Sequence, residues 1–302
     1  MNIYANISAN KWKTWLIMIL FVAFISTVAY VISRATGYGP SFGIIAFVLA
    51  IITSIGSYFY SDKLVLATSG ARLVPEKENP ELYHLVENLA MGDGLPKPKI
   101  YIINDASPNA FATGRDPKHS AVAVTQGLLD RLNRAELEGV LAHELSHVKN
   151  YDTRLMAITA ILVGFIAILA DLFMRNLWFG GIGGQQRDDE GNGQIQAIFL
   201  IVGIVLAILA PVVATLIQLA ISRKREFLAD ASGALLTRYP DALADALEKI
   251  STDPRPLKTA TNATAHLFIV NPFKGKQATA WLSSLFNTHP PTAERIKILR
   301  SM

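Results

Sequence analysis

Cysteine is absent from all 302 residues. Disulfides, thiolate zinc sites, iron–sulfur clusters and cysteine nucleophiles are therefore excluded. The absence is compatible with a reducing compartment. Charge is scarce as well: Asp, Glu, Lys and Arg make up 17% of the chain, against roughly 25% in an average soluble protein. A disordered chain needs polarity and self-repulsion to stay open, so the deficit of charge argues against disorder. With 51% hydrophobic residues and a mean hydropathy of +0.32, a purely soluble globule is a poor fit. The net charge is only +4, and no run of Lys and Arg could track a nucleic-acid backbone, so nucleic acid is not an expected partner. Any metal site must be built from six His and twenty-four carboxylates. At roughly 150 residues per domain the length suggests one large or two ordinary units.

What the chain does have is long apolar runs. Thr14–Ser33 carries no charge over twenty positions, enough for about 30 Å of helix, the hydrocarbon thickness of a bilayer. Ser41–Tyr60 repeats the pattern after the turn-forming connector Arg34–Pro40, so the pair reads as a helical hairpin. A cleaved leader is the rival for the first run, but its length and the immediate second run argue against it. A third span runs from about Leu155 to Phe173, with Asp171, Arg175 and Trp178 as an interfacial flank. A fourth covers Ile195–Ile221, with Pro211 as a kink. The polar loop Gly180–Gln194 separates them. A buried soluble hairpin would not stay apolar around its full circumference for so long.

Short-loop Lys and Arg set the orientation. Lys11, Lys13, Lys63, Arg223, Lys224 and Arg225 flank one side, whereas the loop between spans three and four holds Arg175 and Arg187 against Asp188, Asp189 and Glu190. The positive-inside rule then places both termini, residues 61–154 and residues 222–302 in the cytoplasm, in a multi-pass protein of the cell membrane. The expected organisation is an N-terminal transmembrane hairpin over residues 1–60, the first half of a cytoplasmic domain over 61–154, a second hairpin over 155–221, and the second half over 222–302.

The first half reads as mixed α/β. Asn79 or Glu78 caps a helix ending near Gly92. Lys99–Ile103 and Ala121–Thr125 are short β-type runs, with Phe111–Thr113 a third, and Ser107-Pro108-Asn109 marks a turn. A long helix follows from Arg134 to about Lys149, and the second half holds another around Ala242–Ile250.

On the long helix stands His143-Glu144-Leu145-Ser146-His147. Residues four apart share a helical face, so both imidazoles can reach one zinc ion at about 2.0–2.1 Å. Glu144, one step round, can face a water on that ion and take its proton. Independent positions at this composition would produce the motif with a chance of roughly 0.4%. A hydrolytic zinc needs a third protein ligand and an open position. Glu226, in Glu226-Phe227-Leu228-Ala229-Asp230, is the best candidate, because E-x-x-x-D places two carboxylates on one face. One can bind metal while the other accepts the spare N–H of a ligand imidazole. Glu226 follows the fourth span and His147 precedes the third by only a few residues, which puts both near the same membrane surface.

With these motifs the chain resembles the HtpX heat-shock proteases, integral-membrane zinc endopeptidases, and more distantly the CAAX prenyl-protein endopeptidases. The resemblance covers essentially the whole chain: two leading spans, Ser107–Gly114 (SPNAFATG), the HELSH helix, EFLAD, and Thr288–Arg295 (THPPTAER). It implies one zinc per chain, ligated by His143, His147 and Glu226, with Glu144 as general base and a thermolysin-like core. It also implies quality control of membrane proteins under stress. Tyr151 departs from the pattern, standing where an Arg is expected.

Weaker signals surround the core motif. Asn109, after a strand, marks an edge to which an extended peptide could add, or only a structural turn beside a core Phe111. His289 is a candidate to stabilise an oxyanion, and Arg295 to contact substrate or to make a surface ion pair. Asp230 is the expected holder of a ligand imidazole, His143. Asp152 reads as the end of the zinc helix or the partner of a nearby Arg. His84, His119 and His266 read as ordinary surface or core residues. The expected whole is a four-helix membrane protein with a mixed α+β metallopeptidase domain, a lipid bilayer around it and peptide bonds of membrane proteins as substrate. Its rivals are a non-enzymatic metal-binding scaffold and a CAAX-type processing protease.

Overall fold

The computed structural model describes residues 3–36, 40–181, 223–273 and 290–302. Three long apolar helices, α1 (Ile3–Thr36), α2 (Pro40–Thr68) and α6 (Asp152–Gly181), have the length and composition to cross a membrane. They pack on one another through Ile17, Phe21, Ala50, Leu155, Ile158 and Leu162. Their other faces leave Ile19, Ile44, Phe47, Ile52 and Ile55 exposed, a density of apolar surface that water does not tolerate and lipid does. The helices overrun the expected spans because flanking charges such as Lys11 and Lys63 end an apolar run without breaking a helix. The expected fourth span, Ile195–Ile221, lies outside the described residues.

Beyond the end of α2 the chain forms a four-stranded sheet: β1 (Ala71–Leu73), β2 (Lys99–Ile103), β3 (Ala110–Gly114) and β4 (Ser120–Thr125), in the order β1-β2-β4-β3. β1 is antiparallel to β2, β2 parallel to β4, and β3 antiparallel to β4. The three strands expected from sequence are present; three-residue β1 was too short to show a period. The alternation of β2 and β4 sends side chains into two cores. Ile100, Ile102, Val122 and Val124 face the helices α3 (Pro80–Gly92) and α5 (Arg134–Lys149), while Ile103, Ala121 and Ala123 meet Val65 of α2 and Met156, Ala157 and Ala160 of α6. The sheet is thus clamped between the metal-motif helix and the ends of the membrane helices.

Local chemistry fixes the helix limits. Asn79 caps α3 by accepting the Leu82 N–H at 3.0 Å, as the sequence allows. A short α4 (Gln126–Arg131) follows β4 under the Thr125 cap. Asn133 and Glu136 close a reciprocal capping box at the start of α5. α5 ends at Asn150, Tyr151 turns through a positive φ of 59°, and Asp152 opens α6. The Tyr151 ring receives Lys11 at 4.6 Å and Arg154 at 4.8 Å, so the tyrosine found where an Arg was expected is held by cations on its face. α7 (Arg223–Thr237) and α8 (Pro240–Thr252) pack on α5, and α9 (Thr292–Leu299) closes over them.

Candidate metal centre

Helix α5 presents His143 and His147 one turn apart, their rings nearly perpendicular at 88°. α7 crosses beside it and brings Glu226 to the same point. The approach depends on Gly233: a Cβ there would stand 3.0 Å from the His143 nitrogen and 3.3 Å from its Cα. The Nε2 atoms of the two histidines lie 3.2 Å apart; Glu226 Oε2 is 3.8 Å from the first and Oε1 3.6 Å from the second. Ligand atoms around a tetrahedral ion with bonds of about 2.0–2.2 Å are separated by roughly 3.3–3.6 Å. One ligand atom from each of the three residues lies within 4.8 Å of the others, a cluster that could hold a metal ion. All three residues are buried, which is costly for ionisable groups unless something neutralises them.

Both histidines are aimed from behind. His143 Nδ1 lies 2.9 Å from Asp230 Oδ1, and His147 Nδ1 lies 2.9 Å from Asp152 Oδ2. A carboxylate at Nδ1 requires the proton there and leaves the Nε2 lone pair for a metal. Asp230 in turn is gripped by Arg295 through Nε at 2.8 Å and Nη2 at 2.6 Å. Burial would raise the Asp230 carboxyl, but this guanidinium and His143 hold it down to about 2. Burial likewise opposes charge on His147, yet Asp152, Glu226 and Glu144 outweigh it and push its pKa up to about 9. Four buried carboxylates (Glu144, Glu226, Asp230, Asp152) thus face two buried guanidinium groups, Arg225 and Arg295. The carboxylates outnumber the guanidinium groups, a surplus that suits a cation at this point.

Glu144 stands beside this triangle and outside it. One carboxylate oxygen accepts the Ala112 N–H of β3 at 2.8 Å. Burial raises its pKa above the ordinary carboxylate range, against the pull of His143 and His147. A carboxylate so placed can take a proton and return it.

β3 is an edge strand of the sheet, and its outward groups are partly engaged by the chain itself. Ile269 N donates to Ala110 O at 3.0 Å, and Thr153 Oγ1 donates to Gly114 O at 3.0 Å. Asn109 is buried and its amide nitrogen donates to Val270 O at 3.0 Å; it braces the 268–270 segment against the strand. The Phe111 ring packs edge-on against Phe268. Arg295 is 1% exposed, so the surface ion pair considered from sequence is replaced by a buried one. His289 falls outside the described residues. His119 and His84 are exposed, and His266 is buried against the Met156 carbonyl.

Asp152 does more than the sequence suggested. It lies near an Arg, with Arg225 Nε at 3.5 Å, but its other oxygen holds His147. No spacing rule reveals this, because the contact runs across a left-handed turn between two helices. The Ala112 N–H was equally silent, being backbone.

Residues 76–302 match the model of peptidase family M48. Along nearly the whole chain there is similarity to proteins named protease HtpX homolog. That of Dictyoglomus thermophilum is 48% identical over 99% of this chain and 94% of its own length. That of Pyrococcus furiosus is 48% identical over 96% and 95%. That of Caldanaerobacter subterraneus is 44% identical over 99% and 98%. Among solved structures, S. mikatae Ste24p matches with a TM-score of 0.51 at 21% identity, over 95% of this chain and 66% of that one; this is a likeness of fold. Continuous identity of this order to HtpX homologues, with the family pattern matched from Glu76 onward, shows that this multi-pass membrane chain belongs to peptidase family M48.

Proposed function

We propose that the protein is a zinc-dependent membrane endopeptidase that cleaves extended, membrane-proximal segments of other proteins. His143, His147 and Glu226 would hold the ion. When bound, zinc supplies a Lewis acid that polarises the scissile carbonyl and lowers the pKa of water from 15.7 towards 7. Glu144 accepts the proton of the attacking water and delivers it to the departing amine. Asp230 and Asp152 keep the imidazoles in the required tautomer. β3 offers the edge along which an extended peptide lies, and His289 is kept as the candidate for oxyanion contact, whereas Arg295, buried on Asp230, supports His143 from behind. Residues 61–154 and 222–302 together form one thermolysin-like cytoplasmic domain, inserted into the cell membrane by the hairpins 1–60 and 155–221. Misfolded membrane proteins under stress are the substrates this placement suits.

The observation that carries the reading is Glu144, buried against the metal triangle but outside it. A metal-binding scaffold has no use for a proton acceptor there. A CAAX-type processing role draws only on the likeness to Ste24p, which at 21% identity concerns the fold. The test is zinc content and casein cleavage by the detergent-purified protein, with and without chelator. One zinc per chain and chelator-sensitive cleavage are expected; zinc without any cleavage would leave the scaffold, and no metal at all would overturn the centre.

A further inference from the structure

Asn10 of α1 sits 142 positions before Asp152 in sequence and against it in space. Its side-chain nitrogen donates to Asp152 Oδ1 at 2.7 Å and to the Asn150 carbonyl at 2.9 Å. Its side-chain oxygen accepts from Arg225 Nη1 at 2.8 Å. The amide's orientation is dictated by its partners, since a guanidinium can only donate and the carboxylate and carbonyl can only accept. Asn10, Asp152 and Arg225 are all buried. One amide therefore joins the corner that follows His147 to the residue that precedes Glu226. One turn further along α1, buried Thr14 donates to the Asn10 carbonyl at 2.8 Å, and Lys11 covers the Tyr151 ring of the same corner. Asn10 precedes residue 76, where the family match begins.

The two metal-ligand histidines are thus braced by different parts of the molecule. Asp230, behind His143, is fixed by Arg295 of α9. Asp152, behind His147, is fixed by the first membrane helix. We propose that Asn10 is a positioning residue for the metal centre: the N-terminal end of α1 sets His147 through Asp152, and Glu226 through Arg225. This rests on the metal-centre reading above. An amide is the group the place demands, offering two donors and an acceptor in one plane. Leucine keeps the volume and removes all three bonds, and aspartate would set one buried carboxylate against another.

The experiment is a graded chelator competition for zinc, on the full chain in detergent, with wild type, Asn10→Leu, Asp152→Asn, Asp230→Asn and the two double variants containing Asn10→Leu. Loss of a group that orients a ligand costs on the order of 10–100-fold in metal affinity. Asn10→Leu is expected to weaken zinc binding by about tenfold or more. Combined with Asp152→Asn it should add little, because both act on one arm; combined with Asp230→Asn the two losses should multiply. Asn10→Ser, smaller and still polar, runs through the same comparison and serves if the leucine variant does not fold. Wild-type zinc affinity in a folded Asn10 variant overturns the proposal, as does equal multiplication with both aspartate variants, the pattern of mere fold support. A wild type that binds no zinc would instead overturn the function proposed above.

Discussion

Glu144 and Glu226 carry the same carboxylate, and their neighbours suit them to different work. Glu226 completes a triangle with two imidazole nitrogens, whereas Glu144 is turned to the Ala112 N–H of the edge strand. Glu144→Gln keeps the shape and an oxygen for that N–H but removes the proton acceptor. It should retain one zinc per chain, by elemental analysis, and lose casein cleavage; loss of the metal would show that Glu144 is a ligand. Asp230 offers the complementary test. Asp230→Asn removes the charge behind His143 and should weaken zinc retention by about 10–100-fold, with Glu226→Gln more damaging still. Arg295 loses its carboxylate in the same variant, so chelator midpoints are compared where circular dichroism shows both proteins folded. If Asp230→Asn matches wild type at every chelator concentration, the proposed hold on His143 has no energetic content.

Helix approach is set at two glycines on opposite partners. Gly233 lets α7 lie against the His143 backbone, and Gly139 of α5 lets α8 approach, a Cβ there meeting the Leu243 backbone at 3.0 Å. Gly233→Val should force α7 outwards, costing about 1–3 kcal/mol as overpacking does, and should carry Glu226 away from the histidines. Lowered zinc affinity together with a lowered thermal midpoint is the expected result; a lowered midpoint with unchanged affinity would show that α7 moves without its ligand. Asp253, just past α8, ties that helix to α4: Arg255 Nε bonds it at 2.9 Å and Arg131 Nη1 at 2.6 Å. The Arg255 bond, against burial and with help from Arg131, holds its carboxyl at about 2. A depressed folded pKa stabilises above the unfolded value near 3.9 and loses that stabilisation as pH falls towards 2. Both arginines are partly solvated, so Asp253→Asn should cost about 1–2 kcal/mol near pH 6. The gap from wild type in unfolding midpoint should close as pH drops below about 4. A gap that persists unchanged at pH 3 would deny the ion pair its part.

For the whole molecule the open quantity is which side of the membrane holds the metal centre. From the Lys and Arg asymmetry we propose the cytoplasmic side. The absence of cysteine makes the test clean. Single cysteines at Gln185, in the loop expected outside, and at exposed Lys258 should differ on intact cells: an impermeant thiol reagent labels the first and labels the second only after lysis. Labelling of both without lysis would overturn the orientation and the four-span path with it.

Sequence alone determined what is local or periodic. The apolar runs of α1, α2 and α6, the strands Lys99–Ile103 and Ala121–Thr125, the Asn79 cap and the one-turn spacing of His143 and His147 are all written in near neighbours, because helix and strand geometry repeat over a few residues. The E-x-x-x-D pattern suggested Glu226 and Asp230 by the same logic, and the family resemblance pointed to the same three ligands. Tertiary structure decided what depends on distance across the chain. Only packing brings Asp152 back onto His147 over the turn at Tyr151, buries Arg295 against Asp230, lends the Ala112 N–H to Glu144, and sets Asn10 of a membrane helix behind the metal centre. These contacts join residues from separate elements, and their partners are chosen by burial: a polar group removed from water must be satisfied by whatever the fold places beside it. No spacing in the sequence encodes that choice.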